Sequence, residues 1–173
     1  MELKPVMQLT DENLLRQLYD LVVMGDKEFI PPLSHRASTT QQGLSAETTS
    51  HGVDAYFEEL KKQCFILALE GERMAGFMSF KMNYVNDRIP QGPNLYASTS
   101  VVHPDFRGQG LMTGFYKAMI AGFPTLPIYT RTWHTNVPHL KVLEKLGFRL
   151  LCLLENDRGK GIHTVYYGRN ADR

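Results

Sequence analysis

The chain has 173 residues, 43% of them hydrophobic and 21% charged, with a formal net charge of +1. That length suits one compact domain burying roughly 70% of the surface its unfolded chain would expose, so residues 1–173 are read as a single unit. No apolar run approaches the roughly 20 residues needed to span a bilayer, and no basic stripe offers a track for a phosphate backbone, so neither a membrane nor a nucleic-acid partner is expected.

The opening MELKPVMQLTDENLL has no basic start, continuous apolar core or small-residue cleavage site, which predicts a cytoplasmic location. Residues 3–9 read as a first strand. Thr10 or Asp11 then caps a helix carrying Leu14, Leu15, Leu18, Tyr19, Val22 and Val23 at helical spacing, ending near Gly25. From residue 26 to 52 the chain turns irregular, with Pro31-Pro32, His35, Arg36 and paired glutamines, as in surface segments that shape binding sites. A helix over residues 53–63 precedes two strand-like runs, CFILALE and RMAGFMSFKMN, joined as a hairpin through Gly71-Glu72. Cys64 and Cys152 both sit in apolar runs, where a reduced thiol packs as a small hydrophobe.

After a loop containing Arg88, Pro90, Gln91, Gly92 and Pro93, NLYASTSVV reads as a fourth strand and residues 107–121 as a helix. Residues 126–133 read as a fifth strand, 136–146 as a helix closed by Gly147, and 148–154 and 162–168 as two more strands. The order predicts an α/β fold of the α+β kind: a mixed, twisted sheet of about seven strands with flanking helices.

The stretch from Val102 to Thr113 reads V-H-P-D-F-R-G-Q-G-L-M-T. A strand runs into Pro104, then into Arg107-Gly108-Gln109-Gly110, then into a helix whose first N–H groups have no internal partner. Such a turn suits a phosphate group approached by main-chain donors, helped by the positive helix start and by Arg107. No Lys-Ser or Lys-Thr follows the glycines and no third glycine completes a dinucleotide fingerprint, so neither familiar nucleotide motif applies.

The Arg107–Met112 motif resembles Q/R-x-x-G-x-G/A, the acetyl-CoA signature of the GNAT superfamily of N-acetyltransferases. Val102-His103-Pro104 before it, and N-V-P-H-L-K-V-L-E-K-L-G-F beginning at Asn136, extend the resemblance over most of the chain from Cys64 onward. It implies a GNAT-like domain in which the fourth and fifth strands splay apart, with acetyl-CoA as co-substrate. Ser100, Val101 and Val102 would run alongside the acetyl group and pantetheine arm. Arg107, Gly108, Gln109, Gly110, Leu111, Met112 and Thr113 would surround the diphosphate, and Asn136 would hydrogen-bond the pantetheine. Met112 departs from the usual Gly/Ala, although its side chain can turn back toward the core and leave its N–H available.

The implied reaction moves an acetyl group directly to an amine of a small molecule or a peptide. A main-chain N–H near Ser100 would face the developing oxyanion, whereas the family's frequent tyrosine acid falls at Leu143, which has no proton to give. Tyr96, in register with Ser98 and Ser100 by period-two alternation, is one candidate for the proton relay. His134 and His139 near the splay are the others. Arg131 and Trp133 are expected to line the cleft, and Met112, Phe115, Tyr116 and Met119 to form a core stripe. The two histidines lack metal-ligand spacing, so no metal is expected. Leu143 keeps open an alternative, a non-catalytic acyl-CoA sensor or interaction module.

Overall fold

Asp11 opens the first helix by accepting the Leu14 N–H on its Oδ1 at 2.9 Å, which satisfies one of the donors left free at a helix start. In the computed structural model, which describes residues 1–44 and 52–172, this helix is α1, Glu12–Gly25. It follows an edge strand β1, Glu2–Val6, shorter than the expected 3–9 reading and containing Pro5, which an edge tolerates because one side needs no ladder bond. The part of the irregular segment over residues 45–51 lies outside the described residues. The rest of that segment forms two single 3₁₀ turns, Asp26–Glu28 and Leu33–His35.

Helix α2, Asp54–Leu60, ends before the expected boundary, and the Gln63 N–H closes a turn on the Leu60 carbonyl. Strands β2, Cys64–Glu70, and β3, Arg73–Met82, form the hairpin predicted through Gly71-Glu72, with Glu70 opposite Arg73. Strand β4 covers Leu95–Val102, α3 covers Leu111–Gly122, and β5 covers Ile128–Trp133. Helix α4, Val137–Lys145, and strands β6, Arg149–Leu154, and β7, Thr164–Arg169, complete the chain. Among the described residues no helix is long and apolar enough to cross a membrane.

The seven strands form one mixed sheet in the order β1-β2-β3-β4-β5-β7-β6, in which only β4 and β5 run parallel. Apolar side chains alternate across it and supply a core on each face. One holds Phe80, Phe115, Tyr116, Met119, Leu143 and Phe148 beneath α3 and α4. The other holds Leu18, Val22, Tyr56, Phe65, Phe77 and Val101 beneath α1 and α2.

Candidate active site

The parallel pairing of β4 with β5 covers three residue pairs, ending at Ala97 opposite Thr130, although both strands run on to Val102 and Trp133. Past that point the strands part and leave a cleft of about 190 Å³. Ser98, Thr99 and Ser100 line it from β4, Arg131, Thr132 and Trp133 from β5.

A β-bulge sits at this parting. Ser79 pairs with Thr99 and Phe80 with Ala97, so Ser98 has no partner in β3. Its hydroxyl bonds Gln63, the Thr99 hydroxyl bonds Tyr56, and both consecutive side chains therefore reach the α2 side. Ser100 turns the other way, its Oγ 3.4 Å from the Met112 sulfur on α3. The expected alignment of Tyr96 with Ser100 is thus corrected. Leu95 and Ala97 pack under α3, which puts Tyr96 on the opposite face, 1% exposed and ring to ring with Tyr84 at 4.3 Å. The extra residue at Ser98 resets the alternation on which the expectation rested.

The bulge also determines which backbone groups face the opening. The His103 N–H bonds the Ala75 carbonyl, so antiparallel alternation turns the main chain of Val101 to β3 and that of Ser100 and Val102 toward the gap. The Val102 carbonyl meets Arg107 Nε there at 3.1 Å. Val101 fills the α1-side core with its side chain.

The chain then enters α3 four residues later than predicted. Gly108 and Gly110 take φ of +76° and +75°, left-handed values that hold the backbone out of the helix until Leu111. The first bond of α3 runs from Gly114 N–H to the Gly110 carbonyl, and among the described residues no acceptor meets the N–H groups of residues 108–113. A Cβ at either glycine would meet nothing within 4 Å, so the bend is open on its outer side. Leu111 is buried and Met112 packs toward β4, leaving Gln109 exposed and Thr113 half-buried. Arg107 does not point into this bend with a free charge: its guanidinium grips Glu28 at 2.7 and 2.9 Å.

Asn136 stands at the start of α4 and lines the cleft, its Nδ2 donating to Thr132 Oγ1 at 3.0 Å. Leu143, the position of the family's tyrosine, is fully buried under α4. His134 stacks on His163 with centroids 4.5 Å apart, and its Nδ1 accepts the His163 N–H; it does not line the cleft. His139 does, with Nε2 2.8 Å from the Tyr116 hydroxyl, and burial lowers its pKa to about 4, so the ring is neutral at pH 7. Burial raises the Tyr116 phenol and keeps it protonated. Tyr116 was expected only as part of a core stripe. Its helical spacing hides that it also lines the cleft, with its hydroxyl bonded to His139.

Three arginines flank the other side, Arg36 and Arg158 buried and Arg131 half-buried at the cleft wall. Arg36 lies over Phe29 at 5.6 Å and Arg158 over Trp133 at 5.4 Å, and both rings line the cleft beside Arg131. Burial, together with the fields of Arg36 and Arg131, lowers the Arg158 pKa to about 9.

Among solved structures, the chain is similar to the ribosomal-protein-S18-alanine N-acetyltransferase from Escherichia coli, at 13% identity over 98% of this chain and 96% of that one, with a TM-score of 0.63. The aminoglycoside 6′-N-acetyltransferase from Enterococcus faecium matches at 15% identity over 98% and 96%, TM-score 0.64. An aminoglycoside 6′-N-acetyltransferase complexed with coenzyme A matches at 16% identity over the same shares, TM-score 0.65. These likenesses are of fold. A comparison with curated proteins found no match. The family model described as the Acetyltransferase (GNAT) family matches residues 34–148, well over half of the sequence, and the chain belongs to that family.

Proposed function

We propose that the protein is an acetyl-CoA-dependent N-acetyltransferase. The observation that carries this reading is the juxtaposition of a strand parting with an open helix start: amides of residues 108–113 that meet no acceptor among the described residues, beside the main-chain edge of Ser100 and Val102 that faces the gap, where Arg107 takes the Val102 carbonyl. Those amides suit a diphosphate, and that edge suits an extended arm pairing as an added strand. Asn136 adds a side-chain amide across the gap. Bound there, acetyl-CoA supplies an acetyl group activated as a thioester. The coenzyme A in the similar aminoglycoside 6′-N-acetyltransferase complex supports the same ligand here.

The chain's residues then divide the work. The Ser100 N–H, turned into the gap, serves as the donor to a carbonyl oxygen that gains negative charge. Tyr116, protonated and hydrogen-bonded to His139 on the α3 side, serves as the donor to the departing thiolate. The acceptor amine approaches from the opposite face, between Phe29, Arg131 and Trp133.

The buried Leu143 favours a second reading, an acyl-CoA sensor without turnover. Thermal stabilisation by acetyl-CoA, followed by thiol release across a panel of amines, separates the two. Amine-dependent release with an N-acetylated product supports the enzyme; stabilisation without product for any amine supports the sensor; no stabilisation overturns both.

A further inference from the structure

We propose that the acceptor amine also carries a compact oxyanion, a carboxylate or a phosphorus oxyacid, which Arg131 receives on the α1 side of the cleft. This rests on the N-acetyltransferase reading and adds the substrate class.

Alternation along β5 separates two walls. Thr130 Oγ1 bonds the Ala97 carbonyl and Thr132 Oγ1 bonds Asn136, whereas Arg131 and Trp133 project to the other face, toward Phe29 and the segment before residue 45. Ligand groups on that face would meet Arg131 first.

Arg131 is short of partners. Its NH2 donates to the Gln41 carbonyl at 2.8 Å, one hydrogen bond among the described residues for a group with five N–H donors. Arg36 places Nε and NH2 on the Pro31 carbonyl, at 3.1 and 2.8 Å. Arg158 bonds Thr164 Oγ1 at 2.9 Å and the Ile30 carbonyl at 2.8 Å. Every one of these acceptors is neutral. Among the described residues, no carboxylate comes within ion-pair distance of any of the three guanidiniums.

Among the described residues, the nearby acids are hydrogen-bonded or paired to other groups, and the charges of Asp26 and Asp157 reach Arg36 and Arg158 only from beyond ion-pair distance. Glu28, which lines the cleft, is taken by Arg107; Asp26 accepts the Ser34 N–H; Asp157 accepts the Thr164 hydroxyl. The remaining described titratable groups that bear on Arg131 are the phenols of Tyr56, Tyr84, Tyr96 and Tyr166. The Tyr166 hydroxyl is buried, meets no partner at full hydrogen-bond geometry, and lies close enough to interact with Arg131.

Buried charges are normally paired, and a guanidinium cannot shed its charge by losing a proton near neutral pH. Three of them around one cleft raise a positive potential that repels a polycationic amine and attracts an anion. A ligand with both groups can rest its oxyanion on Arg131 and present its amine at the parting beside Ser98 and Ser100.

The test uses the full chain in two arms. In the first, thiol release from acetyl-CoA is followed with amino acids, aminoalkyl phosphonates, the corresponding carboxamides and a polyamine. The inference expects kcat/KM for the oxyanion-bearing amines to exceed that of their carboxamides by roughly 10- to 100-fold, the effect of one charged hydrogen-bonded contact. Preference for carboxamide or polyamine overturns it while leaving the transferase reading standing. The phosphonate and carboxylate members distinguish the two oxyanions.

In the second arm, protein saturated with CoA is titrated with an N-acetylated amino acid and with its amide. Stabilisation by the acid alone supports the inference even without turnover; equal stabilisation by both, or none, overturns it. Arg131→Met is expected to raise KM for the anionic acceptor with little change in acetyl-CoA affinity, and Arg131→Lys to restore part of the loss. Should Arg131→Met fail to fold, the wild-type comparisons decide.

Discussion

Arg107 and Glu28, 79 positions apart in the sequence, meet in a two-pronged ion pair, NH1 to Oε1 at 2.7 Å and NH2 to Oε2 at 2.9 Å. The pair ties the glycine bend before α3 to the turn after α1, and commits to a carboxylate the guanidinium that the motif would offer to a diphosphate. Both side chains are about half exposed, at 44% and 50%, so the pair contributes less than about 1 kcal/mol to stability.

Glu28→Gln is therefore expected to leave the melting temperature nearly unchanged while tightening CoA binding a few-fold at low salt, with the gain fading as salt is added. Calorimetric titration at two ionic strengths checks this. Weaker binding in the variant would show that Glu28 orients Arg107 rather than competing for it.

Gly110→Val should lose at least tenfold in acetyl-CoA affinity. The space beyond Gly110 is open, so no existing neighbour is struck; the side chain instead occupies the face where a diphosphate would approach. The φ of +75° adds a strain of roughly 1–2 kcal/mol for a residue with a Cβ, so the melting temperature falls as well. Affinity measured on the folded fraction separates the two effects, and an unchanged dissociation constant would remove the bend from the binding site.

Tyr96→Phe and Tyr116→Phe distinguish the two faces of β4. Tyr116 lines the cleft and its Oη bonds His139, whereas Tyr96 packs against Tyr84. Steady-state kinetics should show kcat falling roughly 100-fold for Tyr116→Phe, the lower end for loss of a proton donor, and distinctly less for Tyr96→Phe. The reverse ranking would return the proton relay to Tyr96.

His139 makes the fold sensitive to acid. Its pKa in the folded chain is lowered by burial to about 4 from an ordinary 6.5, so the unfolded chain takes up the proton first. Stability is thus complete above about pH 6.5 and declines as the pH falls toward 4, by at most roughly 3 kcal/mol. Urea unfolding at pH 7 and pH 4.5 measures the difference, and His139→Gln should narrow it. A gap of the same size in the variant would assign the acid sensitivity to other groups.

The hairpin at Gly71-Glu72, the Asp11 cap and the glycine bend before α3 are legible in the sequence because short-range chemistry decides them: turn residues, a side chain reaching its own helix, left-handed glycines. The missing acid at Leu143 is equally plain, since no fold gives leucine a proton. Residues 26–44 read correctly as irregular, but nothing local places their Arg36 beside Phe29 or their Gln41 on Arg131.

What only the tertiary structure decided depends on partners far along the chain. Counting by twos from Tyr96 cannot reveal the extra residue at Ser98, because a bulge is defined by the pairing of β3 with β4. Helical spacing assigns Tyr116 to the core and is right for its ring, while its hydroxyl finds His139 from another helix. The three arginines lie at positions 36, 131 and 158 and share one wall because the sheet order brings β5 beside β7 under the segment that follows α1. Composition and period govern which elements form. Long-range pairing brings charges, hydroxyls and imidazoles within a few ångströms of one another, and the chemistry of the cleft is set at that range.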